Sequence, residues 1–477
     1  MSTTAIRLRL RTSLDTGIIA VHQSRVGKPN LTTTPTTPSQ NRVKLLLRAL
    51  RHRNFQLFFM GQLISLTGTW MQTVAQSWLV YKMTGSSLLL GTVGFASQIP
   101  VFLLAPIAGA VADRVNKHRV VVATQSSAMF LAAILTVLTF SGEVQVWHII
   151  VLSSTLGVVN AFDVPARQSF IVEMVGKEDL MNAIALNSSM FNGARVVGPA
   201  VAGILVAQIG EAWCFFANSV SYIAVIAGLL MMTLPRKVPP SSDASAMEQI
   251  IEGFRYVRTT KPVVTLLLLV GLISLVGMPY TVLMPIFADQ ILHGGASGLG
   301  ILMGATGTGA LLGALTLATR SGLKGISRWI AMSCAGFGTS LTVFAFSKSF
   351  WLSVAVLVPA GFSMMLQMAC TNTLLQTMVP DRLRGRVMAF YSMMVMGMAP
   401  FGALFAGALA NRLGAPLTVA VGASTCVVGA GIFYGYIPKF RTETRKLIVA
   451  QSLSSGEPPQ ELNSQKVSDE QLQSASD

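Results

Sequence analysis

Five polar residues, Gln62, Ser65, Thr69, Gln72 and Gln76, stand 3, 4, 3 and 4 positions apart inside an otherwise apolar run. That spacing places all five on one face of a helix. A buried amide costs several kcal/mol, roughly 2–7, unless its hydrogen bonds are met. The stripe therefore faces either a central polar cavity or a hydrogen-bonding neighbour helix. A single guanidinium, Arg195, lies within another apolar run, with Asn192 nearly one turn before it. In hydrocarbon such a charge costs roughly 2.5–3.5 kcal/mol on insertion scales, so it needs a partner or water. Its chemistry is that of a counter-ion, for an acidic substrate or for a coupling carboxylate. The alternative is an anchor to a nearby carbonyl or amide such as that of Asn192.

The acids are informative by position, since none of the 19 falls in the middle of an apolar run. Asp163 and Asp289 sit at run ends, and Glu143 and Glu211 sit in short gaps. Proton antiport normally requires a group that exchanges its proton between two environments. Asp289 is the candidate coupling residue, with capping or a loop role as the alternative. The densest charged cluster is Gly109 to Arg119, GAVADRVNKHR, which is the only break between two long apolar runs. Four cysteines (Cys214, Cys334, Cys370 and Cys426) stand singly, so neither a metal site nor a disulfide framework is expected. The chain carries no P-loop, dinucleotide fingerprint, catalytic triad or paired-carboxylate cluster. It reads as a non-enzyme without cofactors.

The elements that must position these residues follow from composition. The chain has 477 residues, 52% hydrophobic and only 11% charged, against about 25% charged for ordinary soluble domains. A soluble surface of this size would need more charge, so the class is a polytopic membrane protein. Twelve runs have the roughly 20-residue length that crosses hydrocarbon: 55–81, 87–112, 119–140, 146–164, 186–209, 213–234, 262–289, 298–319, 328–346, 350–374, 387–410 and 415–437. They divide the chain into a first six-helix half, 54–234, and a second, 262–437. Between them, 235–261 is a polar linker in which Met247, Ile250, Ile251, Phe254 and Val257 recur at helical spacing. That pattern suggests an amphipathic helix on the inner membrane surface, or a tether between the halves. Residues 1–53 and 438–477 are polar and are expected as disordered tails. Residues 1–53 lack a secretory core; their Arg-rich, acid-poor composition also resembles a transit peptide.

The net charge of +16 sits in the gaps between apolar runs and forms no basic face, so no nucleic-acid partner is expected. With the N-terminus placed inside, 31 of the 35 Lys and Arg residues fall on the inner side. Three (Lys82, Lys348 and Arg412) fall outside. Both termini are therefore expected to be cytoplasmic. The chain also repeats itself: QSFIVEMVGKEDLMNAIAL resembles NTLLQTMVPDRLRGRVMAF, and each leads into a small-residue, proline-containing patch. Two such halves mark a duplicated transporter fold.

These residues carry a resemblance. GAVADRVNKHR resembles the loop signature of the major facilitator superfamily, with matches at Gly109, Asp113, Arg114, Lys117 and Arg119. Asn116 stands where the signature has its second glycine, as the residue best able to replace it in a left-handed turn. The stretch Gly193 to Gly203, with Gly198 and Pro199, resembles the superfamily's exporter motif. DVPARQ, from Asp163, and GQLISLTGTWMQTVAQSWLVYKMTGSS resemble the branch of enterobactin exporters and macrolide-efflux proteins. The resemblance implies an all-α fold, twelve transmembrane helices in two pseudo-symmetric six-helix halves, working by alternating access in the inner membrane. It implies export of a small amphiphilic compound such as a siderophore, macrolide or other drug, with protons as a candidate coupling ion. Import by the same fold and a signalling or scaffold role are the alternatives. It also implies an inner gate in which the Asp113 cluster meets Asp163, Arg167, Asp381, Arg384 and Arg386. The matching turn of the second half, Arg320 to Arg328, has no acid, so the latch is expected to be asymmetric. Unlike proton-coupled drug exporters, the run 146–164 holds no basic residue. The expected partners are a small-molecule substrate and the bilayer around a monomer.

Overall fold

A computed structural model describes residues 48–176, 178–233, 246–319 and 325–455. Almost all of them are helical. The helices are α1 (Arg53–Thr84), α2 (Ser87–Arg114), α3 (Lys117–Phe140), α4 (Val146–Val175), α5 (Leu180–Ile209) and α6 (Glu211–Leu230). Then follow α7 (Ala246–Thr259), α8 (Lys261–Ile291), α9 (Gly295–Ala318), α10 (Ile326–Phe346), α11 (Phe350–Met378), α12 (Asp381–Leu413) and α13 (Ala415–Ser455). Local chemistry sets their ends. The Ser86 hydroxyl accepts from Leu89 N at 3.3 Å and opens α2. Gly85 closes α1 in the left-handed conformation (φ 60°), where a Cβ would clash with the backbone.

Eleven helices are long and apolar enough to cross a membrane: α2 to α6 and α8 to α13. Helix α1 forms over 32 residues, about 48 Å at the α-helical rise. It is absent from the eleven because its polar stripe lowers its hydropathy. Apolar side chains cover the outside of the bundle; Trp351, Phe405 and Ile432 are 71, 70 and 71% exposed.

The helices pair in a recurring pattern. Among the first six, α1 packs on α5 and α6, α2 on α4, and α3 on α4 and α6. Among the later ones, α8 packs on α12 and α13, α9 on α11, and α10 on α11 and α13. Two seams join these sets, α2 with α12 and α5 with α9. Both seams depend on glycine. A Cβ on Gly91 would lie 2.5 Å from Ala403 O and 2.9 Å from Gly407 Cα; one on Gly300 would lie 2.5 Å from Pro199 O and 2.8 Å from Gly203 Cα. Only the missing side chains let these backbones meet.

Helices α8 and α12 carry matching irregularities. Each holds a five-residue π-helical turn, Ile273–Gly277 and Met393–Gly397, followed two residues later in α8 by Pro279 and three residues later in α12 by Pro400. An extra residue in the ladder, followed by a proline without an N–H, bends a helix.

Two sequence expectations change here, and the linker takes the tether form of its two readings. The tail expected from 438 begins later, because α13 continues through Pro438 to Ser455. Phe440 and Ile448 are buried, and that packing offsets the hydrogen bond lost at the proline. Asn116 has φ −62°, outside the left-handed region, and acts as an N-cap: its Oδ1 accepts from Arg119 N at 3.2 Å. The linker helix α7 packs against α12, with Phe254 and Phe390 rings 6.2 Å apart, so tethering describes it better than lying free on a membrane. Residues 1–47, 234–245, 320–324 and 456–477 lie outside the described residues, and with them most of the tails and the Arg320 turn.

Candidate functional site

The polar stripe of α1 meets its neighbours at three levels. Gln62 is fully buried, and its Oε1 accepts from Arg167 Nη1 of α4 at 3.0 Å. Gln72 Oε1 accepts from Asn218 Nδ2 of α6 at 2.6 Å. Gln76 Nε2 donates to Ser153 Oγ of α4 at 2.9 Å. Ser65 is buried, and Thr69 Oγ1 donates to the Ser65 carbonyl at 3.0 Å. Each of the three amides has one partner on another helix, which answers part of the desolvation cost, while Gln62 Nε2 is buried without a partner among the described residues.

Arg167 leads to a second cluster. Its Nε lies 3.2 Å from Asp163 Oδ2, one turn earlier on α4. Asp163 is 3% exposed, and its Oδ1 also accepts from Thr124 Oγ1 at 2.8 Å and Gln125 Nε2 at 2.9 Å, both on α3. The chain Gln62–Arg167–Asp163–Thr124/Gln125 ties α1, α3 and α4 together. Here a buried carboxylate is met by one charge and two neutral donors, the arrangement that makes a buried ion pair tolerable.

Arg195 stands differently. It is partly buried on α5, with its guanidinium carbon 5.7 Å from the centre of the Trp70 ring, within cation–π range. Phe191 packs edge-on against the same indole at 5.7 Å. Asn192 donates its amide to the Ser188 carbonyl at 2.8 Å. No carboxylate among the described residues reaches Arg195 within ion-pair distance.

The two surfaces of the bundle are built differently. At one end of the bundle Tyr81 Oη of α1 donates to Asp289 Oδ2 of α8 at 2.7 Å, and Ser87 Oγ of α2 to the Gly407 carbonyl of α12 at 3.1 Å. Ser297 Oγ of α9 donates to the Gly203 carbonyl of α5 at 3.4 Å. At the opposite end, expected from the charge count to face inward, the charges pair more locally. Lys117 pairs with Glu173 at 2.8 Å. Arg48 Nε lies 2.9 Å and His52 Nε2 2.8 Å from the Asp179 carboxylate. Arg384 pairs with Asp381 and donates to Gln376 O at 3.1 Å. Arg382 and Arg386 both pair with Glu252 of the linker helix. The side chains of Asp113 and Arg114, and the position of Gly109 as a packing surface, lie outside the described residues. Arg119 is exposed.

Residues 46–466 match the sequence profile of the transmembrane secretion effectors. The chain belongs to that family of the major facilitator superfamily. As a secretion-effector family member it is a multi-pass membrane protein of the transporter type. It is 27% identical to the staphyloferrin A transporter of Staphylococcus aureus, over 79% of this chain and 94% of that one. It is 26% identical to the multidrug efflux pump Tap of Mycolicibacterium fortuitum, over 81% and 96%. Macrolide-efflux and enterobactin-exporter proteins are further relatives. Among solved structures, a mutant of the nucleoside transporter NupG superposes with a TM-score of 0.63 at 13% identity, over 82% of this chain and 99% of that one.

In this secretion-effector family member the exporter-like motif has a visible packing role: Gly198 faces α1, where a Cβ would lie 2.5 Å from Trp70 Cβ, and Pro199 with Gly203 faces α9. Sequence reasoning did not find Trp70, Tyr81, Glu173, Asp179, Glu252 or Tyr280 as members of the site. For the acids the available signal was an isolated Glu or Asp beside a base-rich inner gap. The aromatic residues left none, because an aromatic in an apolar run looks like ordinary core.

Proposed function

We propose that the protein is a secondary active transporter with twelve membrane-spanning helices in two pseudo-symmetric six-helix halves, and that it exports a small amphiphilic compound by alternating access. The observation that carries this reading is the one-sided distribution of contacts between α1–α6 and α8–α13. Tyr81–Asp289, Ser87–Gly407 and Ser297–Gly203 join the outer ends, while the inner charges of α3 and α4 pair with one another. Such a molecule is closed outward, one of the two states that alternation requires. The recurring helix pairing supports two equivalent halves, and the π-turn and proline in α8 and α12 supply matching bends for rocking. Burial of Gln62 and Gln72 and the helix-to-helix bond of Gln76 support counting α1 as a twelfth span.

The names of the relatives, a multidrug efflux pump, macrolide-efflux proteins and an enterobactin exporter, support export. On this reading Thr69, which is only partly buried, is the stripe residue that lines a path between the halves, and Asp289, at the outer closure, is the candidate proton-coupling group. On this reading the protein works as a monomer in the inner membrane with both termini cytoplasmic. Everted vesicles given an inward-acidic proton gradient test the proposal. They should accumulate a siderophore, macrolide or dye that vesicles lacking the protein do not. Uptake in right-side-out vesicles with none in everted ones would replace export by import.

A further inference from the structure

Among the described residues Arg195 has no acidic partner, and the buried and partly buried acids of the bundle are already engaged. Asp163 holds Arg167, Thr124 and Gln125; Glu211 pairs with Lys82 at 3.2 Å; Asp179 takes Arg48 and His52; and Asp289 takes Tyr81. A guanidinium presents five N–H donors in a flat fork. The Trp70 face satisfies one side of its plane electrostatically and leaves its edge donors unspent.

A second unspent donor lies beside it. Tyr280 of α8 is 2% exposed, yet its hydroxyl makes no hydrogen bond of good geometry. Thr306 of the adjoining α9 lies near it, with its own hydroxyl donating to the Leu302 carbonyl at 3.2 Å, and α9 meets α5 at Arg195, where a Cβ on Gly307 would lie 2.8 Å from the Arg195 carbonyl. Buried hydroxyls are rarely left without a partner unless something else supplies one. An unpaired cation and an unpaired hydroxyl, brought from α5 and α8, ask for the same complement: an acceptor with two oxygens and one negative charge.

We propose that Arg195, Tyr280 and Trp70 form the recognition site for a carboxylate group of the transported compound, with Trp70 and Phe191 receiving an adjoining apolar or planar part. This rests on the transport reading above and narrows its substrate class to carboxylate-bearing amphiphiles. One guanidinium and one hydroxyl suit a monoanion; a phosphate dianion would need further cations. The location adds a consequence. Arg195 and Tyr280 come from helices on the two sides of the α5–α9 seam, so a carboxylate held by both bridges the sets that must move against each other. Its affinity therefore depends on which side the molecule is open.

The test uses the full-length protein in nanodiscs, titrated calorimetrically with benzoate and with benzamide, which share shape and differ in charge. Wild type should bind benzoate at least about tenfold tighter than benzamide, the ratio expected for a charge-assisted hydrogen bond. Arg195→Gln should bring the two within about twofold, Arg195→Lys should keep part of the preference, and Tyr280→Phe should weaken benzoate about threefold without touching benzamide. If Arg195→Gln does not fold, Arg195→Lys and Tyr280→Phe decide the matter in the same way. Equal binding of the two probes by wild type overturns the proposal, as does a benzoate preference that survives Arg195→Gln. The transport reading is separable. Vesicles that export only neutral or cationic compounds, with no benzoate preference, refute this site and leave export standing. A benzoate preference lost in Arg195→Gln, with no compound moved, leaves the site and refutes export.

Discussion

Substituting Asn for Asp163 isolates what holds the inner ends of α1, α3 and α4 together. The Asp163 side chain is 4% exposed and that of Arg167 24%. Asn retains an Oδ1 that accepts from Thr124 and Gln125, but its amide replaces the oxygen that faces Arg167 with a donor. Removing one partner of a buried pair costs about 3–5 kcal/mol. Here Arg167 keeps its bond to Gln62 and some solvent contact, which brings the expected cost down to about 2–3 kcal/mol. Replacing both charges, as Asp163→Asn with Arg167→Gln, removes the unpaired cation and should cost only about 1 kcal/mol. The double variant is therefore expected to be about 1–2 kcal/mol more stable than the single Asn variant, and the favourable coupling exceeds that difference by the cost of Arg167→Gln alone. Thermal unfolding in detergent should show the single Asn variant lowered by about 2–3 °C and the double variant by about 1 °C. A double variant that falls as far as the summed single variants, or further, would refute the idea that charge pairing holds this cluster.

Three further outcomes follow from the same contacts. Gly300→Val should abolish transport while leaving membrane insertion intact, because its side chain would meet Pro199 O and Gly203 Cα across the α5–α9 seam; Gly193→Ala, which meets nothing within 4 Å, should transport normally. Tyr81→Phe removes the donor to Asp289 at the outer closure, so labelling of a Ser297→Cys reporter by an impermeant maleimide should speed up about tenfold in that background. Unchanged labelling would remove Tyr81 from the gate. Glu252→Gln frees Arg382 and Arg386 from the linker helix. Since the Glu252 and Arg382 side chains are 36% and 72% exposed, the melting temperature should move by less than about 2 °C. Trypsin cleavage at Arg382 and Arg386 should nevertheless quicken, and an unchanged digestion pattern would show that α7 docks through Phe254 alone.

The buried polar groups show how much of the site was legible in the chain. The spacing of Gln62, Ser65, Thr69, Gln72 and Gln76 was enough to put them on one face, since helical periodicity needs no partner to be read. That Gln62 would meet Arg167, Gln72 would meet Asn218 and Gln76 would meet Ser153 was not readable: the pairs are 105, 146 and 77 residues apart, and local pattern carries no register between helices. Asp163 looked like a loop-flanking acid. Helix α4 instead runs on through Pro165 to Val175, so the acid is inside the bundle. Pro438 misled in the same direction, because burial of Phe440 and Ile448 carries α13 past it.

The sequence by itself determined the class of the molecule, the positions of its apolar helices, the family signatures and the presence of one intramembrane guanidinium. Each follows from composition or from spacing within a single element, where hydrophobic burial and helical geometry act locally. Only the tertiary structure decided that Glu252 of the linker helix pairs with Arg382 and Arg386, and that Arg195 lies against Trp70 with no acid among the described residues within ion-pair distance. Those outcomes depend on which helices glycine allows to touch. Contact at Gly91–Gly407 and Gly203–Gly300 sets the two seams between α1–α6 and α8–α13.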